Sequence, residues 1–519
     1  MISSTINIAS QPIKLSDTDI VVGKDILELL VNGMYLDPLT IYREYVQNAA
    51  DSIDEIRMAG LSVNDPHITI HLDHIGRTVR IRDNGGSIPN REFVKQITAI
   101  GASHKRGTSL RGFRGIGRLS GLGYCQELVF RGKAAGDSKI IEVSWDGRTL
   151  KEKIRDHSYS GSLIDIIREV VTYRHIPSAE KSECFFEVEL RKVQRLKSDL
   201  LMNEKAIRLY LSQVAPVPFH PEFSFGEEIQ EFLIERGMRQ PIKVELDDGA
   251  GPIYHRARDT IDFNPNISDT LRGIEYVELH DSNGELSAFG WIADHGYMGS
   301  IPKKLGLSGI RLRAGNIQVG DESMLAPLYP ETRFASWAMG DIHVNSKKII
   351  PNGRRDDFEH TPHYNWLRTE LSAKAEELAH RIRMRSKKRQ HLRNVETHLR
   401  SIDDWYGLAK ERGTPLLLKK ALLALSSEQV QKAAHEAKKL GISTDDHNMA
   451  TERLNLRTKD IRGLERHIER KSLAETAKLP QRAEKVLLTA LKVVLSNARS
   501  AKTGTRTALD IVEAIGNIR

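Results

Sequence analysis

The chain has 519 residues, 39% hydrophobic and 28% charged, which is enough for about three domains with sizeable cores. Its formal net charge of +8 is uneven: residues 361–519 hold 32 Lys and Arg against 19 Asp and Glu, leaving 1–360 at −5. Two cysteines, Cys125 and Cys184, exclude a disulfide framework and a structural zinc site, and no apolar run is long enough to span a bilayer.

The first segment, "MISSTINIASQPIKLSDTDI", has no charged stretch followed by an apolar one, so no secretory signal is expected and the cytoplasm is the expected location. Residues 20–60 read as helical. Within them "YREYVQNAADSIDEIR" (42–57) sets Glu44, Asn48 and Asp51 four and three apart, within roughly 60° on a helix. Tyr42, Tyr45, Val46, Ala49, Ile53 and Ile56 make the apolar positions beside them. Carboxylates and an amide on a stripe that should meet a core are costly unless something binds there.

"HITIHLDHIGRTVRIRDNGG" (67–86) alternates as a β-hairpin turning near Gly76, with Val79 and Ile81 on its buried face. It ends in "RDNGG", where glycines let backbone approach a flat ligand; an ordinary turn is the other reading. A helix follows at 90–100, then a polar loop over 101–115 and a short helix at 116–123. The stretch "GASHKRGTSLRGFRGIGRLSGLG" (101–123) sets Gly112, Gly115 and Gly117 just before that helix, beside Lys105 and Arg106. Free N–H groups there suit a phosphate, although a glycine-rich surface loop would read alike. The spacing is neither a dinucleotide fingerprint nor a Walker loop.

Strands are expected at 126–132, 139–145 and 184–192, with a helix at 162–170. Together these elements form an α/β sandwich over 1–195, the first domain of an α+β chain. A second α/β unit over 205–360 carries strand signals at 242–246, 274–281, 284–294 and 309–320. Residues 361–519 are poor in glycine and read as a helical, basic, partly coiled-coil-like region, with periodic stretches at 364–400, 416–440 and 448–475. Pro480 and the Gly/Thr cluster at 503–506 punctuate it. Its densest strip, "RIRMRSKKRQHLR", places seven basic residues between Arg381 and Arg393, either a nucleic-acid footprint or a solvated helix face.

The order Glu44–Asn48–Asp51, then "DNGG", then a loop and "GFRGIG", resembles the GHKL ATPase superfamily. That group comprises heat-shock protein 90, the DNA-repair protein MutL, gyrase B, the MORC proteins and histidine kinases. The resemblance covers about residues 20–195 and implies a Bergerat-type sandwich that binds ATP with Mg²⁺. It implies that Asn48 ligates Mg²⁺ and that Glu44 is the general base for the attacking water. Asp51 would line the nucleotide pocket, and Asp83 would accept the adenine amino proton with Gly85 beside it. Lys105 would reach the phosphates, and the N–H groups around Gly112, Gly115 and Gly117 would cradle them. The sequence departs from the family pattern at Ser87, where a second glycine belongs, at Ile88, and at Cys184, which stands where a threonine usually contacts the base region.

An ATPase placed first and followed by an α/β transducer is unlike a histidine kinase and similar to heat-shock protein 90, MutL and gyrase B. "SWAMGDIHVNSKKIIPNGRRDDFEHTP" (336–362) resembles the middle domain of heat-shock protein 90, which implies that Arg355 reaches the γ-phosphate, with Lys347 and Lys348 as fallbacks. A basic surface turn, with Arg354 and Arg355 pairing Asp356 and Asp357, is the alternative. The resemblance implies a homodimeric, Mg²⁺-dependent ATPase clamp that remodels a client protein, cycling between ATP-closed and open states. The alternatives are a clamp acting on DNA through 381–393, or an ATP-gated scaffold holding a partner subunit.

Overall fold

The computed structural model describes residues 37–60, 65–101, 117–178, 184–196, 198–441, 444–474 and 480–516. The chain is α+β, and it divides into two compact units, 1–379 and 380–519.

The first described helix, α1 (Thr40–Met58), starts after Pro38, where the Asp37 carboxylate accepts the Leu39 N–H at 3.0 Å. It stops at Gly60, whose φ of 72° is left-handed and cheap only for glycine. The hairpin β1 (His67–Asp73) and β2 (Thr78–Asp83) follows, closed by Asp73, which accepts the N–H groups of Ile75 and Gly76. Next come α2 (Asn90–Thr98), a 3₁₀ turn at Gly117–Gly123, β3 (Glu127–Lys133), β4 (Lys139–Asp146), α3 (Gly147–Arg155), α4 (Leu163–Val170), β5 (Val171–Pro177) and β6 (Phe185–Arg191). Ser162 and Asp165 form a capping box at the start of α4, as the Ser-x-x-Asp spacing allows. Neither α3 nor β5 stood out in the sequence.

These strands form one sheet in the order β5-β4-β3-β6-β2-β1-β7. Here β7 (Lys243–Leu246) pairs parallel to β1, while every other neighbour in the sheet is antiparallel. The segment 242–246, read with the second unit, therefore lies in the first sheet. Alternation divides the faces. Ile68, Ile70, Val79, Ile81, Val188, Leu190, Leu128, Phe130, Val143 and Trp145 pack with α1 into one core, each burial contributing about 1.5–3 kcal/mol. On the opposite face Arg131 reaches Glu142, Glu187 and Glu189 at 2.6–2.7 Å. Arg80, Arg174 and Arg191 extend that ladder from the neighbouring strands.

The chain continues through α5 (Glu204–Val214) and α6 (Gly226–Glu235) to a second sheet. A two-stranded ribbon, β8 (Thr260–Asn264) and β9 (Ile267–Thr270), precedes β10 (Gly273–His280), β11 (Leu286–Asp294), β12 (Gly309–Ala314), β13 (Ile317–Val319) and β14 (Met339–Val344). The order is β10-β11-β14-β12-β13, with β12 and β14 parallel. The run 309–320 is thus a hairpin rather than one strand, because Gly315 and Asn316 both take positive φ and reverse the chain. At its centre the buried Asp341 accepts from Arg313 Nε at 2.9 Å and faces His255 Nε2 at 3.0 Å. Burial raises the Asp341 carboxyl, but the Arg313 guanidinium and His255 more than reverse this and hold it well below the usual range.

The helix α7 (Pro362–Lys410) leads into the second unit, which adds α8 (Leu416–Lys438), α9 (Asp445–Ala474), α10 (Gln481–Asn497) and α11 (Ala501–Gly516). Within this unit α8 runs antiparallel to α7, with His398 on Gln429 and His391 on Glu436, and α9 returns parallel to α7 through Glu396–Arg453 and Asp403–Arg457. The Gly/Thr cluster at 503–506 does not interrupt this part; it lies inside α11, where Gly504 lets the helix approach Leu495 and Ala498. No helix among the described residues is long and apolar enough to cross a membrane.

The carboxylates Asp341 and Glu436 each have a testable consequence. Replacing Asp341 by Ala strands Arg313 in the interior and is expected to lower stability by about 3–5 kcal/mol in urea unfolding. Hydrogen bonds from Lys439, His391 and Asn394 hold Glu436 at about 2, below its usual 4.5. A depressed carboxyl stabilises the fold above its unfolded value and ceases to as pH falls through the folded one. The stability gap between wild type and Glu436→Gln is therefore full at neutral pH and closes between about pH 4.5 and 2.

Candidate functional site

The α1 stripe turns inward. Glu44 is 6% exposed and Asp51 fully buried, while Asn48, between them, is half-buried. Tyr42 and Tyr45 anchor the helix on either side. The Tyr42 hydroxyl donates to the Leu201 carbonyl at 2.6 Å, and Tyr45 Oη accepts the Gly121 N–H at 2.9 Å while donating to the Arg118 carbonyl at 3.1 Å. Tyr45 thereby fixes the end of the glycine-rich segment against α1. From the sequence Tyr45 reads only as an apolar position of the α1 stripe.

Glu44 sits at a junction of three segments. Arg43 Nη2 lies 3.2 Å from Glu44 Oε1 and 3.0 Å from the carbonyl of Arg354, so one guanidinium joins α1 to the "PNGRRDDF" loop. The other carboxylate oxygen packs against Gly117, where any Cβ would overlap it. Glu44, Gly117 and the 352–358 loop therefore meet, although some 240 residues separate the last two in "RGIG" and "PNGRRDDF". Arg355 is buried in that loop with φ of 57°; its N–H donates to the Asn352 carbonyl and its own carbonyl accepts from Gly320. Asp356 accepts from Asn352 Nδ2 at 2.6 Å and Asp357 from the Tyr364 hydroxyl at 2.5 Å, which orders the loop.

Asp51 is engaged from another direction. Arg239, from the segment after α6, reaches Asp51 Oδ1 at 3.5 Å and Asp54 Oδ2 at 3.2 Å. Nothing local connects position 239 to position 51, so this pairing leaves no mark in the sequence.

Asp83, 2% exposed, ends β2, and its Oδ1 accepts the Gly85 N–H at 2.9 Å. Gly85 is pressed onto α1: a Cβ there would stand 2.8 Å from both Asp83 Oδ1 and the Ile53 nitrogen and would overlap Ser52 Oγ. The glycine requirement in "DNGG" is thus one of close approach. Cys184, half-buried, directly precedes β6, whose Phe186 faces Asp83 across the sheet. Lys105, Gly112 and Gly115 lie outside the described residues. Arg118, which follows Gly117, is depressed to about 10 by burial, and its Nη2 donates to the Ala99 carbonyl at 2.7 Å. In the basic strip, Lys388 pairs with Asp446 at 2.7 Å. Among the described residues no group of three or more His, Cys, Asp or Glu could hold a metal ion.

No family model matches the chain. It is similar over part of its length to proteins named chaperone protein HtpG. The one from Salinispora arenicola is 32% identical over 88 residues, 16% of this chain and 14% of that protein. Those from Burkholderia lata and Idiomarina loihiensis are 26% identical over 142 and 141 residues, each 24% of this chain and 22% of the relative. The chain thus covers less than a quarter of the length of these curated relatives, and the likeness to HtpG is a partial one.

Proposed function

We propose that α1, the Asp83–Gly86 turn and the segment ending in Gly117 form a cleft that binds ATP with Mg²⁺, and that Glu44 activates water for its hydrolysis. The observation that carries this reading is the convergence of Glu44, Gly117 and the Arg354–Arg355 loop from three distant parts of the sequence. A buried carboxylate beside a glycine segment and an arginine-bearing loop suits phosphoryl transfer, where positioning and charge stabilisation supply most of the rate.

In this reading Asp83 accepts the adenine amine, a charge-assisted contact worth about 1.5–3 kcal/mol. Asn48 would hold Mg²⁺ through its side-chain oxygen, and the ion would offset the charge of the phosphates. Gly117, with Lys105, Gly112 and Gly115, holds the phosphates. Arg43 orients Glu44, and Arg355 stands in the loop from which a cation reaches the developing phosphoryl charge. Asp51, held by Arg239, acts as a wall of the pocket and links it to the transducer. The partial likeness to HtpG favours a chaperone-type, homodimeric remodelling cycle on a client protein, in which residues 205–360 transmit nucleotide state and the helical region 361–519 mediates assembly.

The test is Glu44→Gln. The variant is expected to bind MgATP as wild type does in calorimetry while steady-state phosphate release falls at least about 10²-fold, the scale of a lost general base. Undiminished turnover removes Glu44 from that role.

A further inference from the structure

Two hydroxyls beside the Asp83–Gly86 turn have buried oxygens and no hydrogen-bond partner: Ser52 Oγ and Ser87 Oγ. A serine in a helix ordinarily donates to the carbonyl of the preceding turn. Ser52, on α1, makes no such bond, and its oxygen packs against Gly85, close to Asp83 Oδ1. Its backbone carbonyl accepts the Gly86 N–H at 3.5 Å, which keeps the turn on the helix. Ser87 is held at φ of 57°, in the left-handed region that favours glycine, and its oxygen presses on Gly132 of β3.

The two serines flank one row of the sheet. Asp83 faces Phe186, and Phe186 faces Gly132, so carboxylate, aromatic ring and glycine lie side by side on the helix-covered face. Two strand spacings, roughly 10 Å, separate the ends of that row. This is wide enough for a purine and its edge contacts. A buried hydroxyl without a partner is unfavourable, and these two stand at opposite ends of the row, Ser52 near Asp83 and Ser87 against Gly132.

We propose that Ser52 and Ser87 are base-recognition residues, whose hydroxyls bond the ring nitrogens of a purine while Asp83 takes its exocyclic amine. The inference rests on the adenine-nucleotide reading of the cleft. An ionised carboxylate only accepts, whereas the adenine edge offers an amine donor next to a ring-nitrogen acceptor. A hydroxyl supplies the missing donor, and rotation about χ1 carries it from its buried position toward the base. The left-handed backbone at Ser87 is retained because the side chain, rather than a glycine, contributes to binding.

The experiment is calorimetric titration of the full chain with MgATP for wild type, Ser52→Ala and Ser87→Gly, beside thermal unfolding without nucleotide. Each substitution is expected to weaken ATP binding about fivefold, the usual net worth of one hydrogen bond. Stability without nucleotide is expected to be unchanged or higher, because an unpartnered hydroxyl, and at Ser87 a left-handed serine, has been removed. ATP analogues lacking N1, N3 or N7 complete the test: the analogue missing the contacted nitrogen should bind wild type about fivefold more weakly and show no further loss in the matching variant. ATP affinities equal to wild type in both variants overturn the inference, as does a loss of stability that accounts for the loss of affinity. A wild-type chain that takes up no ATP overturns the underlying reading instead, which is a distinguishable result.

Discussion

Four charged side chains of one helix, Arg43, Glu44, Asp51 and Asp54, lie within the fold at 0–6% exposure. Charges taken out of water cost several kcal/mol each unless they are paired with good geometry. Their partners come partly from the helix itself, Arg43 to Glu44, and partly from beyond residue 200, through Arg239 and the Arg354 carbonyl. The α1 stripe therefore stays buried only while the later segments dock on it. The Tyr42–Leu201 hydrogen bond and the pairing of β7 with β1 add backbone links in the same place. The helix that carries the candidate chemistry is thus also the joint between the two sheets' segments, and a change on α1 acts on both.

What was legible in the sequence was local. A 3.6-residue period with Glu44, Asn48 and Asp51 on one side gave α1, and strict alternation ending in "DNGG" gave the hairpin and its glycine turn. The glycine-rich segment could be placed beside them only through a family resemblance, and of its glycines Gly112, Gly115 and Gly117 the last alone is described. What was not legible depends on distance. Arg239 carries no mark of its partners Asp51 and Asp54, and β7 reads like any short strand until β1 is beside it. The run 309–320 hid a reversal because a glycine followed by asparagine inside an alternating stretch preserves the hydrophobic pattern. Gly504 resembled a break because close helix packing and a turn call for the same residue. Ser87 did leave a signal: a serine where the family pattern has glycine, and a backbone angle that explains the glycine.

Charge is handled in two further ways in the first unit. The open face of the first sheet neutralises itself, arginines of β2, β3, β5 and β6 crossing to glutamates on neighbouring strands. The second sheet instead buries one carboxylate, Asp341, between Arg313 and His255. The unpartnered hydroxyls of Ser52 and Ser87 lie apart from both arrangements, beside the Asp83–Gly86 turn.

The central claim is that Asp83 and Gly117 border a single adenine-nucleotide cleft with Glu44 at its phosphate end. A structure of the full chain determined with Mg²⁺ and a non-hydrolysable ATP analogue tests it most directly. The account predicts one nucleotide per chain, its amine on Asp83 and its terminal phosphate beside Glu44 and Gly117. A cleft that stays empty at saturating nucleotide, or an analogue bound elsewhere on the chain, would contradict it.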